Sequence, residues 1–255
     1  MSWMQRGERL RGRTIMLAAG MPEGEPGGDA DARIGGWDID QAIVALARAV
    51  FVEGGRLVAE SDAHLTLLLA MIAGEYQTQR FAEGSGHADA DLTPSVRVHR
   101  TRPRSDREDE DEALLERYSL VDFADRANDD PFGDSKISAP SPRDEPIALV
   151  CIGGDAGVIE QAHRFASKES YRPIFVLKTT GGAAARLAVD PVLTVEAIDT
   201  AIAEQVWSRA RARLEATEFE FDRRRYEFEV RIVPYPVIMQ TIVDRLARRD
   251  DYVPA

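Results

Sequence analysis

Residues 147–160 read Ile-Ala-Leu-Val-Cys-Ile-Gly-Gly-Asp-Ala-Gly-Val-Ile-Glu. Residues 147–152 are all apolar, leaving no polar side chain for a wet face, which is the pattern of a strand buried on both sides in a helix-covered parallel sheet. Gly153-Gly154 stops the run, and the stretch that follows predicts a helix to about Lys168. Downstream the order recurs: Pro173–Leu177 is a second buried strand ending at Thr179-Thr180-Gly181-Gly182, with a helix from Ala183. Upstream, Thr14–Ala18 is a short buried strand that stops at Ala19-Gly20-Met21-Pro22, and Glu23–Gly36 reads as a loop. Then Ile39, Ala42, Ile43, Leu46, Ala49 and Val50 recur at spacings of three and four, predicting a helix with Asp38 as its N-cap and Gly54-Gly55 as its stop. Arg56–Ala59 is the next strand, Glu60-Ser61-Asp62 a turn, His64 to about Tyr76 a helix, and Ser95–Arg100 a third strand. Strand, turn and helix thus alternate four or five times, which implies an α/β fold: a Rossmann-like, doubly wound parallel sheet with helices on both faces.

The chain has 255 residues, with 32 Lys and Arg against 44 Asp and Glu, for a net charge of −12. Residues 105–146 hold 14 of the acids and 5 of the bases, hence −9 of that charge. This stretch reads as an acidic, weakly ordered insertion with one short helix near Asp111–Tyr118, and the run Asp106–Glu112 as a solvated segment. Nucleic-acid binding needs clustered Lys and Arg and is not expected. Cys151 is the single cysteine, so neither a disulfide framework nor a Cys-rich zinc module is available, and a reducing cytoplasm is the expected compartment. His87, His99 and His163 show no ligand spacing with one another or with Cys151, so no metal is expected. No cofactor is expected either. The most apolar stretch, Leu65–Gly74, is too short to span a bilayer, and Met1–Glu8 lacks the apolar core of a signal peptide, so no membrane partner is expected. Beyond the sheet, Thr194–Ala216 and Val237–Ala247 are helical patterns.

In open parallel sheets, ligands sit beyond the carboxyl ends of the strands, beside helix N-termini. The glycine clusters fall at such junctions: Gly20 with Met21 and Pro22, Gly153-Gly154 with Gly157, and Gly181-Gly182 after Thr179-Thr180. Glycine lets backbone amides approach an anion, and a helix N-terminus adds about half a positive charge. Three such junctions on one edge would make a cradle for a phosphate-bearing ligand. Neither the dinucleotide fingerprint nor a P-loop occurs, so kinase and ATPase chemistry is not expected. Asp155 would cap the helix after Gly154 or contact a ribose hydroxyl. Cys151 reads as inert packing within its strand. Arg97, Arg100, Arg102 and Arg104 form a basic row that would reach phosphates or pair with the neighbouring acids.

Ile152-Gly-Gly-Asp-Ala-Gly-Val-Ile-Glu160 and Lys178–Ala184 are similar to the glycine-rich elements of the SLOG superfamily, which includes the LOG proteins, the Smf/DprA proteins and the N-terminal domains of TRPM channels. The resemblance covers residues 12–188 as a SLOG-like Rossmann-type domain interrupted by the insertion at 105–146, and leaves 189–255 as a mainly helical C-terminal extension. It implies binding of a nucleotide or NAD-derived, ADP-ribose-like signal by a sensor or regulatory protein, whose partner is a homo-oligomeric copy or an effector protein. The ligand-binding positions it implies are Gly20, Met21, Pro22, Ser61, His64, Gly153, Gly154, Asp155, Gly157, Thr179, Thr180, Gly181 and Gly182. His64 falls where related proteins carry a Gly-x-His-Pro-like turn. In the hydrolase branch, which cleaves the base–ribose bond of a nucleotide, the motif reads Pro-Gly-Gly-x-Gly-Thr-x-x-Glu, with the glutamate catalytic. Glu160 falls on that glutamate, while Ile152, Ala156 and Gly157 depart from Pro, Gly and Thr, and the upstream Met-x-x-Arg element is missing. An N-glycoside hydrolase using Glu160 is therefore the alternative, and an interaction module without a ligand the second alternative.

Overall fold

A computed structural model describes residues 9–21, 30–60, 63–82, 96–101, 119–124, 145–168, 171–215 and 233–248. In chain order the elements are β1 (Thr14–Gly20), α1 (Ala30–Val52), β2 (Arg56–Glu60), α2 (Ala63–Ala82), β3 (Val96–Thr101), β4 (Leu120–Ala124), β5 (Pro146–Gly153), α3 (Ala156–Lys168), β6 (Ile174–Leu177), α4 (Gly182–Leu187), α5 (Ile198–Glu215) and α6 (Tyr235–Arg248). The strands form one six-stranded sheet in the order β4-β3-β2-β1-β5-β6. Every neighbouring pair is parallel. The fold is the Rossmann-like α/β class that the sequence implies.

The alternation of side chains along each strand feeds two apolar layers. Ile15 and Leu17 of β1 and Ala148, Val150 and Ile152 of β5 join one core with α1, α2 and α6. Met16 and Ala18, with Leu149 and Cys151, join the other with α3 and α4. This explains why residues 147–152 contain no polar position: both faces of β5 are covered. The helical C-terminus belongs to the first layer. Ile238, Met239, Ile242, Val243 and Leu246 of α6 are buried against that core, and Ile198 at the start of α5 joins them. A parallel bridge from Phe175 to Glu196 also ties residue 196 to β6. Within residues 189–255, the described helices therefore cover the sheet.

The far end of α1 is locked to the chain before β1. Arg9 pairs through Nη2 with Oε1 of the buried Glu53 and donates through Nη1 to Asp244 Oδ1 at 2.8 Å. Arg13 donates to the Leu246 carbonyl at 2.9 Å.

The helix expected from Thr194 begins at Ile198, because residue 196 pairs with β6; the structure departs from the sequence reading in three further places. α1 begins at Ala30, so the backbone of residues 30–36 is helix rather than loop and Asp38 lies inside the helix rather than capping it. Gly35-Gly36 hid this, since a helical glycine costs about 1 kcal/mol. Extending a helix already fixed by packing is nevertheless far easier than nucleating one. Second, Leu120–Ala124 inside the acidic stretch forms β4 and pairs with β3, a strand not foreseen. Its five residues alternate weakly around Asp122, and charged sequence on both sides masks the pattern. Third, α2 runs on to Ala82, well beyond Tyr76. The short helix expected at 111–118 and the run 106–112 lie outside the described residues.

Candidate functional site at the switch point

Strand order reverses between β1 and β5: β2, β3 and β4 lie to one side of β1, while β5 and β6 lie to the other. The connections leave to opposite faces there, opening a crevice at the carboxyl ends of the two strands. Gly20 of β1 and Gly153 of β5 are register partners, so both strands end level at this crevice.

Three glycine-bearing loops meet there. Gly154 N–H donates to the Gly20 carbonyl at 2.6 Å and Ala183 N–H to the Gly154 carbonyl at 2.9 Å. Gly153 N–H donates to Thr180 Oγ1 at 2.8 Å, and that hydroxyl donates to the Leu177 carbonyl at 2.6 Å. The approach is close enough to require glycine at two positions in particular. A Cβ on Gly153 (φ +57°) would stand 2.6 Å from Ile39 Cδ1 and 2.8 Å from the Gly20 carbonyl. One on Gly182 (φ +56°) would stand 2.5 Å from the Gly154 carbonyl oxygen. The β1, β5 and β6 junctions, separate in sequence, thus form one surface.

The same contacts refine how that surface would bind an anion. The amides of Gly153, Gly154, Gly157 and Gly181 already have acceptors within the chain. The amides of Asp155 and Gly182 have none among the described residues. Asp155 caps α3, its Oδ1 accepting from Gly157 N–H at 2.8 Å. Of its two expected roles, the structure thus shows the cap. A carboxylate there already complements the positive end of α3, so a phosphate is better placed toward Gly182 than over the start of α3.

Glu160 is exposed, on the side of α3 opposite Val158, Gln161, Ala162 and Phe165, which are buried against the sheet. A carboxylate so placed touches only a ligand that reaches across the outside of α3. Met21 is exposed just past Gly20. Pro22 and Ser61 lie outside the described residues, and His64 is placed by its backbone alone, in the first turn of α2. Arg97 and Arg100 belong to β3, while Arg102 and Arg104, like His87, fall outside the described residues. His163 contacts Asp190 Oδ2 through Nε2 at 3.1 Å. Cys151 is buried in β5, and burial pushes its thiol up to about 12, so it carries no nucleophile at neutral pH. No cluster of three or more His, Cys, Asp or Glu suited to a metal occurs among the described residues. No helix among them is long and apolar enough to cross a membrane.

No family model, curated protein or solved structure matches this chain.

One polar group beside the crevice was not legible in the sequence. Asp199, in the first turn of α5, is fully buried and accepts Thr179 N–H through Oδ2 at 2.7 Å. Tyr235, at the start of α6, is also buried, and its phenol is raised by desolvation, with Asp38 and Asp199 adding to the rise against a lowering contact from Thr179. Asp38 of α1 is half-buried, and burial raises its carboxyl. These residues come from four separate segments, and only the Pro-Tyr-Pro sequence 234–236 hints at a constrained position for one of them. A groove of about 380 Å³ lies elsewhere, between α1 and α6, lined by Val44, Ala45, Arg48, Val52, Pro236 and Gln240.

Proposed function

We propose that this chain binds a nucleotide or NAD-derived, ADP-ribose-like molecule in the crevice beyond β1, β5 and β6, as a sensor or regulatory protein with a SLOG-like domain. The observation that carries the reading is the meeting of three glycine junctions at the switch point of the sheet, with Gly20 and Gly153 in register and Gly182 packed on the Gly154 carbonyl. In doubly wound sheets this crevice is where phosphate-bearing ligands sit, because helix N-termini and unengaged amides face it. The amides of Asp155 and Gly182 are the groups offered to a phosphate. The glycine-rich motifs at 152–160 and 178–184 agree with this reading. The exposed setting of Glu160 favours binding over hydrolysis. A second copy of the chain or an effector protein would take up the signal in the cytoplasm.

The test is purification from a cellular host, denaturation, and mass spectrometry of the small molecules released. A nucleotide or ADP-ribose derivative in stoichiometric amount is expected. A protein that releases nothing, and whose melting temperature no nucleotide raises, would overturn the reading.

A further inference from the structure

The layer formed by α1, α2 and α6 buries its inner side in one core and leaves apolar groups on its outer side. Along α1, Trp37, Gln41, Arg48 and Val52 are exposed and Val44 and Ala45 half-buried. Steps of three and four residues put them on one stripe of the helix. Met71 and Glu75, one turn apart on α2, are exposed as well, and so is Val237 at the start of α6. Single exposed apolar side chains are ordinary, but Trp37, Val52, Met71 and Val237 stand on three helices of one layer.

Through this layer runs the groove of about 380 Å³ between α1 and α6. Val44, Ala45, Ala49 and Val52 face Pro236 across it, and Gln41 and Gln240 add neutral amides. Of the described residues lining it, Arg48 alone is charged. Arg48 pairs with Glu75 of α2 at 3.5 Å, both side chains being more than half exposed. An ion pair in that setting contributes little, so its two members can exchange partners at small cost.

The charges beside the groove select the occupant. A basic segment would meet Arg48, and an acidic one would meet Glu75. A surface carrying one charge of each sign in reversed order satisfies both, and a two-fold copy of this chain presents that surface. A two-fold contact requires a patch that complements itself. This layer supplies a groove lined by small apolar side chains, apolar groups that protrude beside it, and a cation next to an acid. The net charge of −12 does not oppose the contact locally, since −9 of it belongs to residues 105–146, which contribute nothing to these three helices. We propose that α1, α2 and α6 form the interface of a two-fold homodimer, in which Arg48 of each copy pairs with Glu75 of the other. The inference goes beyond the nucleotide reading and does not depend on it.

Sedimentation equilibrium of the full chain without nucleotide tests the interface, and a mass twice that of the chain is expected. Arg48→Glu sets two acids at each contact and Glu75→Arg two cations. Either variant alone should raise the dimer dissociation constant at least about tenfold, because like charges then face each other. An equal mixture of the two should restore association to within about threefold of the unaltered chain, because each acid then meets a cation across the two-fold. Val52→Lys, at an exposed position in the groove, should also weaken the dimer, and serves if a charge variant melts without cooperativity. A chain that stays monomeric overturns the dimer and leaves this face to a different protein. A dimer indifferent to all three substitutions, or charge variants that do not reassociate on mixing, would overturn the interface as drawn.

Discussion

Substituting alanine at Gly182 and, separately, at Gly181 measures how tightly the three loops are packed. Both glycines have positive φ, +56° at Gly182 and +73° at Gly181, the latter with ψ −157°, a combination essentially confined to glycine. Forcing a residue with a Cβ into such backbone conformations costs about 1–3 kcal/mol. The two sites differ in what the Cβ meets. At Gly181 nothing lies within 4 Å, whereas at Gly182 the backbone oxygen of Gly154 lies at 2.5 Å, where real Cβ atoms essentially never sit. That oxygen cannot rotate away, because it accepts the Ala183 amide at 2.9 Å. Moving it weakens a hydrogen bond worth about 1 kcal/mol net and shifts the β5 and β6 junctions apart. Gly181→Ala should therefore destabilise by about 1–3 kcal/mol, and Gly182→Ala by about 1 kcal/mol more than that. Alanine stiffens the unfolded chain similarly in both variants, so that effect cancels in the comparison. Thermal melts read the difference, at about 2–4 °C per kcal/mol for a chain of this size. Urea titrations at unchanged m check it. A Gly182→Ala protein as stable as Gly181→Ala would refute the packing of these loops into one surface.

Three further outcomes follow from other parts of the molecule. The Cys151 thiol has a folded pKa raised by burial to about 12 from an ordinary value of 9.0, so folding favours its neutral form. Its contribution is fully present below about pH 9 and is lost as pH rises through about 12; stopped-flow labelling with a thiol reagent at neutral pH should proceed only as fast as unfolding, and rapid labelling would contradict the burial of β5. Arg9→Gln leaves Glu53, 4% exposed, without its cation, and should destabilise by about 1–3 kcal/mol after allowance for the solvent around Arg9. Burial raises the Asp244 carboxyl, but the hydrogen bonds from Gln240 and Arg9 outweigh it and leave it lowered. Its stabilisation is present above the ordinary carboxylate range and fades as pH falls through its lowered folded value, so Arg9→Gln should flatten the acid limb of a stability–pH curve. A limb unchanged by the variant would exclude the pair. Finally, deletion of residues 105–143 removes β4, an edge strand, and leaves β3 at the edge. A cooperative melt at a lower midpoint is expected, and loss of cooperativity would show that β4 is integral to the core.

The fold was legible where the sequence concentrates one kind of information. Residues 147–152 and 174–177 are apolar without break because both faces of their strands are covered, and their short length with bounding Pro and Gly or Thr marks them as strands. β4 was not legible, since an edge strand at the rim of the sheet needs no unbroken apolar run. The N-terminal turns of α1 were hidden by Gly35-Gly36, because local propensity opposes what the packed body of the helix imposes. At the site, the glycine junctions could be read from the rule that ligands meet strand ends, although the use of most of those amides within the chain could not. The buried set around Asp199 was beyond reach, as Asp38, Thr179, Asp199 and Tyr235 lie on separate elements and only the folded chain brings them together.

Amide hydrogen exchange, measured with and without saturating ADP-ribose or AMP, tests the ligand crevice most directly. Protection is expected to rise in peptides covering residues 153–157 and 179–183. Protection confined to the groove between α1 and α6, or no change anywhere in the chain, would contradict it.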